Sequence, residues 1–235
     1  MNATRRFVLA AFGTCLLAAC GSEPPCPETG TASQGQAAVA GRLYVGTGDP
    51  YTVGPQDVRT LDIERCQAGS PLPLQIHAPQ QPGTYAVVLF QHGFLLSNAY
   101  YSEVLRHVAS HGFVIVGPQM YPADGWPLGK PTTQQEADAS TALQDWLQEN
   151  LSSLAGVTAD MRQLGIAGHS RGGKVAWRVL LSDAGRFKAV AGIDPTDGTL
   201  DGTGRVTEQP FPFSLPTLVI GAGLGSIPLL PCGFS

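Results

Sequence analysis

The sequence contains few charged side chains and no run of basic ones. Lys, Arg, Asp and Glu make up 14% of its 235 residues, and the formal net charge at pH 7 is −4. Proteins that bind nucleic acid concentrate Lys and Arg against the phosphate backbone. The composition therefore argues against a nucleic-acid partner.

Cysteine is also scarce, and no two cysteines form a CxxC pair. Structural zinc sites and redox dithiols depend on such closely spaced thiols. We therefore expect no metal and no cofactor. Of the five cysteines, Cys26 and Cys66 are able to form a disulfide, but the sequence does not establish this pairing.

The apolar run near the N-terminus is too short to span a bilayer as a permanent helix. It covers residues 7–17, follows Arg5 and Arg6, and leads into the segment LAAC that ends at Cys20. This segment is similar to a bacterial lipobox, in which signal peptidase cuts before the cysteine and the cysteine receives lipid. We therefore expect residues 1–20 to be a lipoprotein-type signal peptide and Cys20 to be a lipid anchor.

These features predict a location in the bacterial cell envelope. It is expected to be lipid-anchored, or periplasmic or secreted if the segment is an ordinary secretory signal. Residues 21–40 are rich in Gly, Ser, Pro, Gln and Ala and are expected to form a flexible linker. Residues 41–235 are long enough to bury the core of one domain.

Strand-like and helix-like segments alternate along residues 72–221. Apolar runs typical of buried parallel strands lie at 85–90, 113–116, 164–167, 188–194 and 217–221, after an alternating run at 72–77. Helical patterns separate them at 97–111, 133–151 and 174–181. The second helix is expected to begin with a capping box of Thr133 and Glu136. This alternation predicts an α/β fold with a doubly wound, mostly parallel sheet.

Ser170 stands in the segment GHSRG, residues 168–172, between the strand at 164–167 and the helix at 174–181. In a strand–turn–helix unit of this kind the serine backbone is strained, and the hydroxyl projects above the strand ends. The five-residue pattern is weak evidence alone, but its position between a strand and a helix supports it. We therefore expect Ser170 to be a catalytic nucleophile.

Two backbone N–H groups are expected to form an oxyanion hole beside this serine. One belongs to Arg171, at the start of a helix, where the helix dipole favours an anion. The other belongs to Phe94, in the loop that follows the strand at 85–90. Such donors stabilise the negative charge that develops on a carbonyl oxygen during acyl transfer.

Asp194 is the candidate catalytic acid, because it follows Ser170 in the chain and closes the strand at 188–194. The alternatives, Asp197 and Asp201, are more typical of turns. The catalytic base is expected to be a histidine that follows the acid. No histidine follows Ser170, and none of the five present is suitably placed: His77, His92, His107, His111 and His169.

Several segments together resemble the chlorophyllases of the α/β-hydrolase superfamily. They are collinear with the family over residues 72–235 and lie at 92–96, 110–113, 118–119, 168–174, 193–195 and 221–225. The resemblance implies that Ser170 is the nucleophile and Asp194 the triad acid. It also implies that the family's histidine lies beyond Ser235, so that the chain is C-terminally truncated and lacks the last strand, the last helix and the base.

The resemblance implies hydrolysis of a carboxylic ester through an acyl-enzyme on Ser170. The substrate is expected to be chlorophyll, giving chlorophyllide and phytol, or another bulky apolar ester. The alternatives are a general lipase or polyester hydrolase, and an inactive envelope lipoprotein that retains the fold. The expected partners are a small ester and, through the lipid anchor, the membrane. The side chains expected to line an apolar pocket are Leu95, Leu96, Tyr100, Met120 and Trp126.

Overall fold

The computed structural model describes residues 26, 48–123, 129–198 and 205–221. The predictions for the signal peptide, for Cys20, for Trp126 and, except at Cys26, for the linker at 21–40 lie outside these residues. The described strands are β1 (Val58–Ile63), β2 (Leu74–Pro79), β3 (Thr84–Gln91), β4 (Phe113–Pro118), β5 (Thr158–His169), β6 (Phe187–Ile193) and β7 (Thr217–Ile220). The described α-helices are α1 (Ser102–Ser110), α2 (Thr133–Ala155) and α3 (Arg171–Asp183).

The strands form one sheet in the order β1-β2-β4-β3-β5-β6-β7. β2 runs antiparallel to β1 and β4, whereas the pairs from β4 to β7 are parallel. The prediction of an α/β-hydrolase fold with a mostly parallel sheet is confirmed. In the register, Gln91 of β3 pairs with Gly168 of β5, and His169 pairs with Ile193 of β6. The carboxyl ends of these three strands therefore meet at one edge of the sheet, here called the carboxyl edge.

Helices cover both faces of the sheet, which explains why its central strands are apolar on both sides. On one face Val87 and Leu89 of β3 are buried in a cluster that includes Leu143 of α2 and Val175 of α3. On the other face the fully buried Ala109 of α1 lies in a second cluster with Phe90 and Ile115. This two-sided packing holds the strand ends, and the loops that leave them, in fixed positions.

The predicted capping box at the start of α2 was wrong by one residue. Thr132, not Thr133, is the N-cap, because its backbone is extended and its hydroxyl accepts a hydrogen bond from the Gln135 N–H. The Gln135 side chain in turn accepts from the Thr132 N–H. Thr133 is already helical, which leaves Glu136 available for a different partner.

The last described strand differs from the prediction of a buried strand. In β7 the side chains of Leu218, Val219 and Ile220 are 56%, 54% and 50% exposed. β7 pairs only with β6 within the part of the chain that the structure describes. A strand at the border of a sheet has one partner strand instead of two, so its apolar side chains stay partly exposed.

Cys26 and Cys66 form a disulfide with a Cα–Cα distance of 5.2 Å. The sequence had left this pairing open. The disulfide joins the segment before the domain to the loop that connects β1 and β2. Among the described helices, none combines the length and the apolar character that a membrane span requires.

Candidate active site

Ser170 occupies a strained bend between β5 and α3. Its backbone has φ 52° and ψ −120°, a combination that costs on the order of 1–3 kcal/mol for a residue with a side chain. Hydrogen bonds hold the bend in place, since the Ser170 N–H donates to the Ile193 carbonyl and the Thr196 N–H donates to the Ser170 carbonyl. Among the described residues, the Ser170 hydroxyl has no hydrogen-bond partner. The predicted strand–turn–helix geometry of this serine is therefore present.

Glycines surround the bend because the backbone of three segments meets there. A Cβ atom at Gly168 would overlap the Gly172 carbonyl, and one at Gly172 would overlap the carbonyl oxygen of Gln91. A Cβ atom at Gly173 would overlap the side chain of Pro195. The glycines thus allow α3 to begin directly against the end of β3 and the turn after β6.

In the loop after β3, hydrogen bonds engage the backbone N–H groups of the residues before and after Phe94. The Gly93 N–H donates to the Tyr101 hydroxyl at 3.0 Å, and the Leu95 N–H donates to the Tyr121 hydroxyl at 3.3 Å. In the described part of the chain, nothing accepts a hydrogen bond from the Phe94 N–H between them. Leu95 has a positive φ of 56°, which turns the chain sharply after Phe94. The Phe94 N–H, which is the predicted oxyanion donor, thus lies between two hydrogen-bonded residues and makes no hydrogen bond of its own within the described residues.

Arg171 connects this loop to the bend at Ser170. Its guanidinium carbon lies 5.2 Å from the centroid of the Phe94 ring, and its Nε and Nη2 atoms donate to Glu136 Oε1 at 2.7 and 2.6 Å. Nη2 also donates to the Pro131 carbonyl at 2.6 Å. Arg171 is 5% exposed and Glu136 is 2% exposed, so water does not screen this ion pair as it would at the surface.

Asp194 follows β6 directly, with a left-handed backbone at φ 43°. Its N–H donates to the Ile220 carbonyl at 2.6 Å, which places it between the ends of β6 and β7. The neighbouring Ile193 is the residue whose carbonyl accepts from Ser170. The predicted nucleophile and the predicted acid are thus brought to adjacent strand ends.

Asp197, the alternative acid, has a structural role. Its carboxylate accepts hydrogen bonds from the N–H groups of Val206 and Thr207 and from the Thr207 hydroxyl. Burial alone would raise the pKa of the Asp197 carboxyl. The three hydrogen bonds together lower this pKa by more than burial raises it, so the net shift is downward. Its carbonyl accepts from the fully buried Lys174 Nζ at 2.8 Å. Asp197 therefore folds the loop at 205–207, as expected of a turn residue, whereas Asp201 lies outside the described residues.

His92 is buried and structural. Its Nε2 accepts from the Met120 N–H at 3.0 Å, so its proton is on Nδ1, which donates to the Gly93 carbonyl at 2.8 Å. Burial lowers the pKa of His92 and keeps the imidazole neutral. His92 thus ties the loop after β3 to the segment after β4.

The other histidines are engaged away from the Ser170 hydroxyl. His77 hydrogen bonds to Thr60 and Gln75, and burial lowers its pKa to about 4. His107 and His111 lie at the end of α1 and bond the carbonyls of the loop at 50–52. The fifth, His169, is half-buried and hydrogen bonds to Tyr101.

The residues predicted to line a pocket occupy different environments. Leu95 and Leu96 are half-buried in the loop after Phe94, whereas Met120 is only 8% exposed and Tyr100 is 74% exposed. Their pocket role stays a prediction. A cavity of about 450 Å³, which none of these four residues lines, lies between α3 and β7 and includes Trp177, Phe211 and Phe213 in its wall.

Three polar residues at the site were not predicted from the sequence: Tyr101, Tyr121 and Glu136. Glu136 was expected only as part of a helix cap. Their roles depend on contacts with residues 8 to 68 positions away, and no local pattern identifies such contacts. Among the described residues, no cluster of three or more His, Cys, Asp or Glu side chains is suited to a metal ion.

Comparison with known proteins finds chlorophyllases and a cutinase that are similar to this chain. A family model described as chlorophyllase matches residues 47–233. Chlorophyllase-2 of Arabidopsis thaliana is 37% identical over 71% of this chain, and chlorophyllase-1 of Citrus unshiu is 36% identical over 75% of it. A cutinase of Thermobifida fusca is 25% identical over 94% of the chain and 66% of its own length. The aligned regions cover 56% and 55% of the two chlorophyllases, so the chain spans about half of their length.

Proposed function

Because the chain belongs to the chlorophyllase family, we propose that it is a carboxylic-ester hydrolase with Ser170 as its nucleophile. One observation carries the proposal: Ser170 lies on a strained bend at the carboxyl edge, and Arg171 stacks on Phe94 across the bend. The backbone N–H groups of these two stacked residues are the proposed oxyanion hole. Active sites of open α/β sheets lie at this edge.

In the proposed reaction, the Ser170 oxygen attacks the carbonyl carbon of the ester while a base takes the hydroxyl proton. The carbonyl oxygen becomes an oxyanion that accepts hydrogen bonds from the Phe94 and Arg171 N–H groups. The carbon–oxygen bond to the alcohol then breaks, and the alcohol leaves with the proton from the base. Water attacks the resulting acyl-enzyme, releases the carboxylic acid and restores the serine.

Asp194 is proposed to orient the base and to stabilise its positive charge. The five histidines of this sequence are all described, and none of them hydrogen bonds to the Ser170 hydroxyl. We assign the role of base to none of them. The base of the proposed triad is therefore left unassigned.

The proposed substrate is a bulky apolar ester. Chlorophyll, whose phytyl ester is split into chlorophyllide and phytol, is the substrate that the chlorophyllase family suggests. The likeness to a cutinase over 94% of the chain favours a lipid or polyester ester as the second candidate. Both are long apolar esters, and they differ in the acid that is released.

The proposed location is the cell envelope, with a lipid on Cys20. The Cys26–Cys66 disulfide supports an oxidising compartment, because disulfides persist there and are rare in the cytosol. The lipobox-like segment before Cys20 supports lipid attachment rather than secretion in free form.

A fluorophosphonate probe tests the proposed nucleophile in the full-length protein. Such probes react with serine hydroxyls that a neighbouring base activates, so we expect labelling of wild type at Ser170 and none of Ser170→Ala. Hydrolysis of chlorophyll a, and of p-nitrophenyl esters of increasing chain length, then separates the two substrate classes. Absence of labelling in folded, full-length protein would refute the proposal and favour an inactive binding protein.

A further inference from the structure

The Cys26–Cys66 disulfide lies at the same edge of the sheet as Ser170. Cys66 follows β1, whose last residue Ile63 pairs with Leu74, the first residue of β2. Leu74 pairs in turn with Pro118, the last residue of β4. Since β4 is parallel to β3 and β5, its last residue belongs to the carboxyl edge.

Hydrogen bonds fix the disulfide loop to this edge. The Cys66 N–H donates to the Ser70 carbonyl at 2.8 Å, which closes the loop between β1 and β2. The Gln119 N–H donates to the Pro73 carbonyl at 2.9 Å, which joins the loop to the segment after β4. The attachment point of Cys26 is therefore part of the folded domain.

The disulfide shortens the connection between the proposed lipid and the domain. Cys26 follows Cys20 by six residues, and six extended residues span at most about 20 Å. Without the disulfide, the connection would run 30 residues from Cys20 to Pro50, whose carbonyl accepts a hydrogen bond from His107 of α1, and would reach up to roughly 100 Å. A connection of about 20 Å is shorter than the diameter of a domain of this size, roughly 30–40 Å.

We propose that the lipid on Cys20 and the Cys26–Cys66 disulfide together hold the carboxyl edge against a lipid bilayer. This inference rests on the lipid anchor included in the proposed function. The bilayer surface is the partner, and the residues around Ser170 contact it. An apolar ester dissolved in the bilayer then reaches the serine without crossing water.

The chemistry of the carboxyl edge suits a membrane interface. Phe94 is 38% exposed and Tyr100 is 74% exposed, and both lie in the chain that leaves β3 next to Ser170. Aromatic rings of this kind, above all Tyr, are enriched where a membrane meets water. Leu95 and Leu96 add half-buried apolar surface beside them.

Exposed aromatic and apolar side chains occur at both edges of the sheet, so exposure alone does not identify the edge that faces the bilayer. Tyr51 and Val53 are 92% and 80% exposed at the opposite edge, in a loop that bonds to Ser110 at the end of α1. What distinguishes the two edges is the short covalent connection. The disulfide is attached at the carboxyl edge, so that edge is the one the lipid draws to the bilayer.

Quenching by nitroxide-labelled lipids tests this orientation. Tyr100→Cys and Tyr51→Cys, each with Cys232→Ser, are labelled with a nitrobenzoxadiazole fluorophore in the lipidated full chain, reconstituted in phosphatidylcholine vesicles. Lipid-borne nitroxide is expected to lower the fluorescence at position 100 by about twofold or more, because an interfacial group lies within the headgroup region. At position 51 it is expected to have little effect.

The same pair of labels with Cys26→Ser and Cys66→Ser isolates the role of the disulfide. The longer connection should reduce the difference between positions 100 and 51. Equal quenching at both positions with the disulfide intact would overturn the inference. So would an unchanged difference after the disulfide is removed, since the surface alone would then set the orientation.

Separate measurements distinguish this inference from the proposed function on which it rests. The mass of the N-terminal peptide reports whether Cys20 carries lipid, and a peptide without lipid refutes both the anchor and the orientation. Fluorophosphonate labelling reports on Ser170 alone. Labelled serine and lipidated Cys20 with equal quenching at the two positions would refute the orientation only.

Discussion

The Tyr101 hydroxyl lies 2.8 Å from Nδ1 of His169, the residue that precedes the proposed nucleophile. The same hydroxyl accepts a hydrogen bond from the Gly93 N–H, so its single proton is available to donate to the imidazole. We infer that the neutral His169 carries its proton on Nε2. Burial lowers the pKa of His169, and the nearby Asp194 carboxylate only partly opposes this shift. Tyr101 thus connects the proposed oxyanion loop to the bend at Ser170.

Tyr101→Phe is expected to slow fluorophosphonate labelling of Ser170. The change leaves the Gly93 N–H without its acceptor, and an unsatisfied buried donor costs about 1–3 kcal/mol. The loop that carries Phe94 should therefore loosen, and the labelling rate is expected to fall about tenfold. Tyr85→Phe is the matched control, because it removes a comparable bond, to the Gln81 carbonyl, far from Ser170. Equal rates in the two variants would contradict the prediction.

Gly172→Ala is expected to abolish labelling. A methyl group at this position overlaps the Gln91 carbonyl, so α3 and the end of β3 must move apart and the two proposed oxyanion donors must separate. Gly165→Ala, in the same stretch of chain, is the control, since the nearest atom to its new methyl group is at an ordinary 3.7 Å. The prediction fails if both variants fold and label at the rate of wild type.

Arg171→Met is expected to destabilise the protein by about 3–5 kcal/mol. The variant keeps the backbone N–H but leaves Glu136 as a buried charge without its cation. Combining it with Glu136→Gln should restore much of the stability, because no charge is then buried. Urea denaturation of the single and double variants measures this coupling. Additive losses would show that the ion pair is not coupled.

Asp194→Asn and Asp197→Asn should have different effects in the full-length protein. If Asp194 orients the base, its replacement should lower ester turnover by up to about 10⁴-fold with little loss of stability. Asp197→Asn should instead lower the melting temperature, because three hydrogen bonds to the loop at 206–207 involve its carboxylate. A reversed pattern in kcat and melting temperature would assign the catalytic role to Asp197.

Acid is expected to destabilise the protein through His77. The folded-state pKa is about 4, and the unfolded value is about 6.5, so the unfolded chain binds more protons between these values. Above about pH 6.5 the neutral imidazole makes its full contribution to the free energy of unfolding. As the pH falls to 4, the free energy of unfolding decreases by up to about 3 kcal/mol. Urea denaturation of wild type and His77→Gln from pH 4 to 7 measures this difference. A constant difference across that range would refute the assignment.

The main features of the fold could be predicted from local patterns. Apolar runs of the length of β3 and β6, separated by helical periods, require a mostly parallel sheet because that is how such runs are covered on both faces. The exposure of β7 does not follow from its apolar run, since the burial of a strand depends on which elements lie next to it. The N-cap of α2 was misplaced because Thr132 and Thr133 are both followed three residues later by a side chain able to complete a capping box.

At the site, the sequence by itself determined which residue stands on the bend. Gly168 and Gly172 leave room for a tight bend between a strand and a helix, and Ser170 is the residue between them, so the local sequence specifies Ser170. Only the tertiary structure decided what holds that serine in place, and it also decided the Cys26–Cys66 pairing. Tyr101, Glu136 and Cys26 act on partners 35 to 68 residues away. Contacts over such separations exist only once the sheet has assembled, because its register brings distant side chains within hydrogen-bonding or disulfide distance.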